Sequence, residues 1–600
     1  MKHRWILKSL PHAESASSLA QALGAKQPFP LALAQILLQR GVNTFEEAKY
    51  FFRPTLSDLH DPYLLTSMDK AVERLVGARK NGEKVLFFGD YDVDGTTAVT
   101  TMCLFAEDWG IDYDFYIPDR YIEGYGVSYK GIDYAVEIGA SVVVTLDCGI
   151  KAMDQLTYAY KKGLDVIVCD HHKPGPELPP AIAILDPLRE DCSYPCTHLT
   201  GCGVALKLAQ ALAPALIEAG IPAPSDDYNP VLEYADLATL SIACDIVPIL
   251  DENRIIAFHG LQKIRSNPLP GLRALMDQAQ GEREWNITDL VFFVGPRINS
   301  AGRLSHAREA VEVMMGKSKA LEELAQELQQ SNDERKLLDK EITQEALAMI
   351  AADPTHPGRH STVLYNEHWH KGVIGIVASR VVEHHYRPTI MLTESDGKLV
   401  GSARSVSGFD LYHAIDAASE HLIQFGGHTY AAGLTMKKES FSAFCKKFDQ
   451  VVAQTIREDQ KMPSLFIDLE IGFSSIDARL IKILGQMEPF GPGNRRPVFY
   501  SKNVLVRHSR IMKEDHIRLV LEQEGRMFEA VGFGLASKWQ ENPSQYVDIA
   551  YQPVFNTWKQ EIRINLHLKD VVPSHEASIT PMEILHSAPA PADPATGTGS

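Results

Sequence analysis

One repeated feature constrains this 600-residue chain more than any other. Three short apolar runs each end in side chains able to hold a metal. Lys84–Phe88 runs into GDYDVDG, which puts Asp90, Asp92 and Asp94 just past its end. Ser141–Leu146 runs into Asp147 of TLDCG, and Val166–Cys169 runs into Asp170, His171 and His172 of CDHH. A fourth run, Ala183–Leu185, follows. Helical patterns lie between and after them, at Thr96–Trp109, about Lys151 to Lys162, Gly203–Ala213 and Tyr234–Ala243. Short continuous apolar strands alternating with helices predict a parallel α/β sheet. Ligands of such a sheet bind beyond the carboxyl ends of its strands, so groups far apart in sequence can meet there.

Taken singly, each piece has a simpler reading. An Asp at a strand end is commonly a helix cap, and Asp94 could cap a helix starting at Gly95–Thr96. Adjacent histidines also suit a surface loop. Their coincidence after successive strands points to one site, which Asp245 in ACDIVPIL can join from a loop after a helix. Crowded carboxylates repel, and divalent cations remove that cost. Oxygen ligands with one or two imidazoles suit Mn²⁺ or Mg²⁺. Two such ions about 3.5–4 Å apart can hold a phosphate and activate water, so hydrolysis of a phosphoryl bond is the expected chemistry. Gly89 and Gly95 form neither GxxxxGK[ST] nor GxGxxG, which disfavours a glycine-rich phosphate loop.

Composition narrows the class. Asp plus Glu is 77 against 59 for Lys plus Arg, a formal charge of -18. That excludes a uniformly basic nucleic-acid coat but leaves room for a local basic channel. No apolar run reaches about 18 residues, so no membrane span is expected. The opening MKHRWILKSL has no signal-peptide pattern, and a cytoplasmic protein is expected. Of eight cysteines, Cys192, Cys196 and Cys202 cluster near His198, but their spacing matches no strong zinc pattern. Free thiols are expected.

The chain divides by texture. Residues 1–75 read as a helical lead-in, with a helix over Leu31–Gln39. Residues 76–318 hold the parallel α/β domain. Residues 319–350 carry Leu321, Leu324, Leu328, Leu338, Ile342 and Ala346 at helical spacing. A helix of that length spans about 45 Å and would join two lobes. Residues 351–460 form a second α/β domain, and 461–573 are strand-rich, suggesting a small β-barrel. The tail 574–600 is rich in proline and small residues and is expected to be disordered.

Several motifs are recognisable. GDYDVDG, TLDCG and CDHH resemble the opening motifs of the DHH phosphoesterase superfamily, as do ACDIVPILDENR (243–254) and GPRINSAGRL (295–304). KGVIGIVASR (371–380), GSARS (401–405) and FGGHTYAAG (425–433) resemble its DHHA1 domain, and EPFGPGNRRPVF (488–499) opens a third module. From about residue 70 to 570 the full set is similar to the RecJ family of bacterial single-strand-specific exonucleases. The resemblance implies a DHH parallel-sheet domain and a DHHA1 α/β domain joined by a long helix, with an oligonucleotide-binding (OB) barrel closing a ring. It implies 5′-to-3′ degradation of single-stranded DNA to 5′-mononucleotides, with two Mn²⁺ or Mg²⁺ ions, in mismatch and recombinational repair. A helicase and single-strand-binding protein are implied partners, with the chain a monomer.

The same resemblance assigns residues. Asp92, Asp94, Asp147, His171 and Asp245 match metal ligands, with Asp147 the best candidate to bridge both ions. Asp90 and Asp170 are ligands or their immediate neighbours, and His172 is a ligand or a phosphate-side partner. Asp236 is the alternative to Asp245, which is preferred because it directly precedes the IVP turn. Arg297, Arg303 and Arg404 stand near small residues that let a phosphate approach, and a guanidinium can grip it with paired bonds. Structural salt bridges are an equal reading for Arg297 and Arg303. Ser402, Gly427 and His428 complete the phosphate grip, and Asn299 orients Arg297 or touches the phosphate. Phe490, Phe499 and Tyr500 stand at the barrel's entry, where core packing suits at least two of them. The cleft between the lobes is expected to be comparatively basic. Two rival readings are a DHH enzyme acting on short oligonucleotides, cyclic dinucleotides or pyrophosphate, and a catalytically silent scaffold. The retained metal-site carboxylates argue against the scaffold.

Overall fold

The computed structural model describes residues 3–24, 26–281, 283–316, 320–558 and 561–582. A parallel sheet forms the first lobe, in the order Tyr113–Tyr116, Lys84–Gly89, Ala140–Leu146, Asp165–Cys169, Ala183–Leu185. Alternation along each strand supplies two cores. Val85, Phe87, Val142, Val144 and Ile167 face the helices Val93–Asp108, Gly201–Glu218 and Pro230–Cys244. Leu86, Phe88, Val143, Val166 and Val168 face Tyr129–Glu137 and Met153–Lys161. Both faces are covered, which is why the strands read as apolar runs.

Helix Gly201–Glu218 is long and apolar enough to cross a membrane by composition. It is a core helix, with Val204, Leu206, Leu208, Leu212 and Leu216 fully buried. Helix Leu321–Ala352 follows, 32 residues and about 48 Å long. Its first half buries Ala325 and Leu328 in the first lobe's core. Its second half buries Ile342, Ala346 and Ile350 against Val373, Ile374 and Val377 of the second lobe. Between them Asn332 is buried and accepts a bond from Arg335 Nε at 3.2 Å.

The second lobe is a five-stranded mixed sheet ordered Gln424–Gly427, Ala431–Met436, Lys398–Arg404, Thr389–Ser395, Thr362–Tyr365. Beyond it, Phe499–Met512, His516–Gln523, Arg526–Gly532, Glu561–Pro573 and Tyr546–Trp558 form a barrel. Pairing of Phe499–Met512 with Tyr546–Trp558 closes it. Phe499 is packed inside the barrel, Tyr500 is buried on its outer face against Trp5, and Phe490 lies against the core.

Two expectations need correction. The lead-in is not only helical: Arg4–Leu7 is a strand, paired in parallel with Ser464–Ile467 and Ile579–Pro581. Its helices also share the barrel's core through Leu19, Leu33, Ile36 and Phe51. The tail does not lose order at Ser574, because Ile579–Pro581 is that third strand; residues 583–600 lie outside the described residues.

Candidate active site

The first lobe's strand ends bring Asp94, Asp147, His171 and His172 together with Asp245. Asp92 caps helix Val93–Asp108, its Oδ1 accepting from Gly95 N at 3.0 Å. The helix therefore starts earlier than Gly95 and its cap is Asp92, not Asp94. A side chain at position 95 would sit 2.5 Å from Asp90 O, so only glycine lets the helix start this close to the strand. Asp94 is freed to point at helix Gly201–Glu218. Its oxygens accept from Gly201 N at 2.7 Å, Cys202 N at 2.8 Å and Ser241 Oγ at 2.7 Å. The positive end of that helix suits a carboxylate.

His171 is the centre of the cluster. Its Nε2 lies 3.1 Å from Asp147 Oδ1, 3.6 Å from Asp94 Oδ2 and 3.8 Å from Asp245 Oδ2. Two ligand sets share it: Asp147, His171 and His172, and Asp94, His171 and Asp245. Within each set the candidate ligand atoms lie within 4.8 Å of one another. Asp170 orients His172, accepting from its Nδ1 at 2.7 Å and from the backbone N–H of His171, His172 and Ile150. That leaves His172 Nε2 as the ring's lone pair.

Two backbone outliers frame the site. Asp147 has φ +61° and the β-branched Ile246, next to Asp245, has φ +58°. Left-handed residues of these types cost about 1–3 kcal/mol each and persist where the surroundings impose them. A Cβ at position 201 would lie 2.4 Å from Asp147 Cβ, so Gly201 allows the helix to close on the turn.

The electrostatics call for a cation. Burial, then Asp94, Asp92 and Asp245, push the Asp147 carboxyl well above its usual range. Burial pushes Asp245 up to about 7 against the opposing pull of His171. Burial and Asp94 raise Asp92. Burial lowers His171 but Asp245, Asp94 and Asp170 outweigh it, for a net rise. Asp147 Oδ1 is buried and accepts no hydrogen bond. An orphaned anionic oxygen among hard oxygen donors and imidazole fits a divalent ion such as Mn²⁺ or Mg²⁺.

Other expectations divide. Asp236 lies apart: it accepts from Leu269 N at 2.8 Å and Leu237 N at 3.1 Å, with Lys263 Nζ at 3.4 Å. Asp90 is buried toward Gly126 N, 3.5 Å away, and belongs to neither ligand set. Arg297 does not face the cleft as a phosphate grip. It is buried, and it donates to the carbonyls of Phe293 and Gln278 beside the π-helical turn Leu290–Val294. Asn299 is half-buried on the same helix. Cys192, Cys196 and Cys202 are free thiols and form no metal set with His198 among the described residues.

Across the cleft the arginines do gather. Arg404 donates to Ser402 Oγ at 3.0 Å, and a Cβ on Gly375 would come within 3.1 Å of its Nη2. Burial and Arg120 push Arg404 down to about 10. Burial, then Arg120 and Arg404, push Arg303 down to about 9. Three guanidinium groups pressing on one another favour an anion between them. Arg303 also ties the lobes, donating from Nη1 to Gly372 O at 2.9 Å. Gly427 has φ +148°, and a Cβ there would lie 2.3 Å from Ala431 O. Beside it, His428 has its pKa lowered by burial, then by Lys151 and His172.

Three residues escaped the sequence reading. Arg120 sits over the Tyr91 ring at 4.8 Å. The Tyr125 hydroxyl donates to Asp147 O at 3.1 Å and lies 3.2 Å from His172 Nε2. Both belong to PDRYIEGYG (118–126), whose density of arginine, tyrosine and glycine between a strand and a helix was the available signal. Asp186 ends the fourth strand, buried, with Oδ2 unpartnered. Burial and Asp170 raise it to about 7.

Comparison with known proteins agrees with this arrangement. Three domain families match: the DHH family N-terminal domain over residues 84–242, the DHHA1 domain over 360–454 and the RecJ OB domain over 467–570. The single-stranded-DNA-specific exonuclease RecJ of Bacillus subtilis (strain 168) is 34% identical over 96% of this chain and 71% of its own length. That of Escherichia coli (strain K12) is 30% identical over 91% of this chain and 96% of its own. The crystal structure of RecJ in complex with Mn²⁺ from Thermus thermophilus superposes with a TM-score of 0.80 at 26% identity, covering 95% of this chain and 79% of that one. By sequence, by domain order and by the fold that brings its acidic strand ends together, this chain belongs to the RecJ family of single-stranded-DNA-specific exonucleases.

Proposed function

We propose that this protein is a metal-dependent exonuclease that degrades single-stranded DNA from the 5′ end to 5′-mononucleotides, in DNA repair and recombination. The observation that carries the reading is the pair of ligand sets sharing His171, set opposite an arginine cluster. Asp94, Asp245 and His171 would hold one ion, and Asp147 and His172 the other, because the single lone pair of His171 Nε2 serves one ion at a time. Bound divalent ions would activate water and offset charge on the phosphoryl oxygens and the leaving group. The chain's own groups orient the rest. Asp170 fixes the His172 ring, and Tyr125 stays protonated and holds the Asp147 turn. Arg404, Arg303 and Arg120 receive the phosphate, with Ser402 bracing Arg404.

For the modules we propose a DHH domain over 76–318, a connecting helix over 319–350, a DHHA1 domain over 351–460 and an OB-like domain over 461–573, the last carrying the N-terminal strand and helices. A helicase supplying single strands and a single-strand-binding protein suit this activity, as do a monomeric state and a place at the bacterial nucleoid in the cytoplasm.

A circular single strand tests the reading. It has no end and should survive, while a linear strand of the same sequence is consumed; nicking of the circle would contradict an exonuclease.

Substitutions at two positions separate the grips. Arg404→Ala is expected to raise KM at least about tenfold while leaving Mn²⁺ affinity unchanged, the loss of a charge-assisted phosphate contact. Arg404→Lys should recover only part of it, since a point charge lacks the paired geometry. An unchanged KM would remove Arg404 from the phosphate site. On the barrel, Phe533 is 60% exposed, with the rings of His516 and His567 at 5.2 and 5.9 Å. A base stacked there contributes about 1–3 kcal/mol. Phe533→Ala should weaken single-strand binding in EDTA roughly tenfold, read by fluorescence anisotropy. Full affinity would place the strand elsewhere.

A further inference from the structure

The loop that carries Asp245 is held from outside its own lobe. Between the end of helix Pro230–Cys244 and the start of helix Asp251–Ser266, residues 245–250 form an irregular crossing with positive φ at Ile246 (+58°) and at Asp251 just beyond it (+48°). Its far end lies against the turn 488–494 that opens the barrel module. Ile249 N donates to Pro492 O at 2.8 Å. A Cβ at position 491 would fall 2.4 Å from Ile249 Cδ1, and one at 493 would fall 2.9 Å from Leu250 Cγ. The two glycines thus seat the turn directly on the loop.

Buried polar groups lock that seat. Asn494 is fully buried, donates to Met487 O and Pro489 O at 2.9 and 2.7 Å, and accepts from Arg40 Nη1. Arg254, in the first turns of helix Asp251–Ser266, is buried with its guanidinium 3.9 Å from the Phe51 ring centre. It donates to Phe51 O, Met487 O, Glu488 O and Pro489 O at 2.8–3.3 Å. A buried cation bonded to neutral carbonyls holds only while all of them stay in place. Its neighbour Asn253 donates to Pro248 O at 3.0 Å, bracing the same loop.

We infer that the turn 488–494 is a positioning element for Asp245, so that seating of the barrel module sets the affinity of the Asp94–His171–Asp245 ion site. The inference rests on the two-ion reading above. Linkage makes the coupling reciprocal: an ion in that set tightens the seat, and a loosened seat weakens that ion.

The test is Mn²⁺ titration of the metal-stripped full chain, with free Mn²⁺ read by electron paramagnetic resonance and no substrate present. Wild type should bind two ions. Gly491→Val should lose at least about tenfold in affinity for one ion and keep the other, as for a group that orients a ligand. Its isotherm should approach that of Asp245→Asn. Adding Ile249→Ala to Gly491→Val should restore the lost ion, because the clash is relieved. If Gly491→Val does not fold, Gly491→Ala decides, since its Cβ alone meets Ile249. Two ions bound by the folded variant with wild-type affinity, or equal weakening of both, would overturn the inference. A wild type that binds no pair of ions would instead sink the two-ion reading itself.

Discussion

Asp147→Asn is expected to reduce turnover by at least about a hundredfold to a thousandfold, the size of effect seen when a preorganised charge is lost from a reacting centre. The metal-free variant should melt no lower than wild type. Asparagine keeps the shape and tolerates the left-handed φ of +61°, so the turn before Gly201 is preserved. What it removes is a buried anion whose Oδ1 accepts no hydrogen bond and which crowds Asp94, Asp92 and Asp245. Without metal that anion is a liability, and neutralising it relieves repulsion. A single substitution thus separates catalysis from folding. Turnover within about tenfold of wild type, a barrier change of only about 1.4 kcal/mol, would show that Asp147 holds no ion at the reacting centre.

The second large effect is a pH-dependent dependence on metal. Asp245 is raised to about 7 and Asp147 well above its usual range, in the protein without metal. A carboxyl whose folded pKa is raised binds its proton more tightly in the folded state. Its stabilising contribution is present at low pH and lost as pH rises through the folded pKa. His171 and His172 are also raised, and their contribution is likewise lost as pH rises. All four groups therefore act in one direction, against histidines elsewhere that burial holds low, such as His259 and His356: between pH 6 and pH 8 the EDTA-treated wild type should change less favourably in melting temperature than EDTA-treated Asp245→Asn, in which those histidines are the same. Mn²⁺ must displace those protons, so its stabilisation should be small at pH 6 and large at pH 8. Differential scanning calorimetry at the two pH values, with and without Mn²⁺, reads both trends. An equal shift at both pH values, or a larger one at pH 6, would mean that the raised carboxyls are not where the ion binds.

Much of the catalytic lobe was legible because its information is local. A strand buried on both faces must be an apolar run, and Lys84–Gly89, Ala140–Leu146 and Asp165–Cys169 are such runs with their acidic ends attached. The long helix was legible from its spacing. What stayed hidden depends on distant partners. Nothing near Arg4–Leu7 announces pairing with Ser464–Ile467, some 460 residues later. The edge strand Tyr113–Tyr116 is half polar and one layer from solvent, so its YDFY lacks a buried strand's signature. Arg297 and Arg303 share one helix and similar neighbours, yet one bonds carbonyls within its own lobe while the other reaches Gly372. Only the way that helix packs distinguishes them. Asp186 follows the shortest run, Ala183–Leu185, whose three residues carry the weakest strand signal, and the carboxylate beyond it drew no assignment.

The measurement that tests the central claim most directly is digestion of a long linear single strand labelled at its 5′ end in one reaction and at its 3′ end in another, with Mn²⁺ or with EDTA. Immediate release of labelled mononucleotide from the 5′-labelled strand, late release from the 3′-labelled strand and none in EDTA is the predicted result. An intact long strand beside rapid hydrolysis of a dinucleotide, or labelled mononucleotide appearing first from the 3′ end, would contradict it.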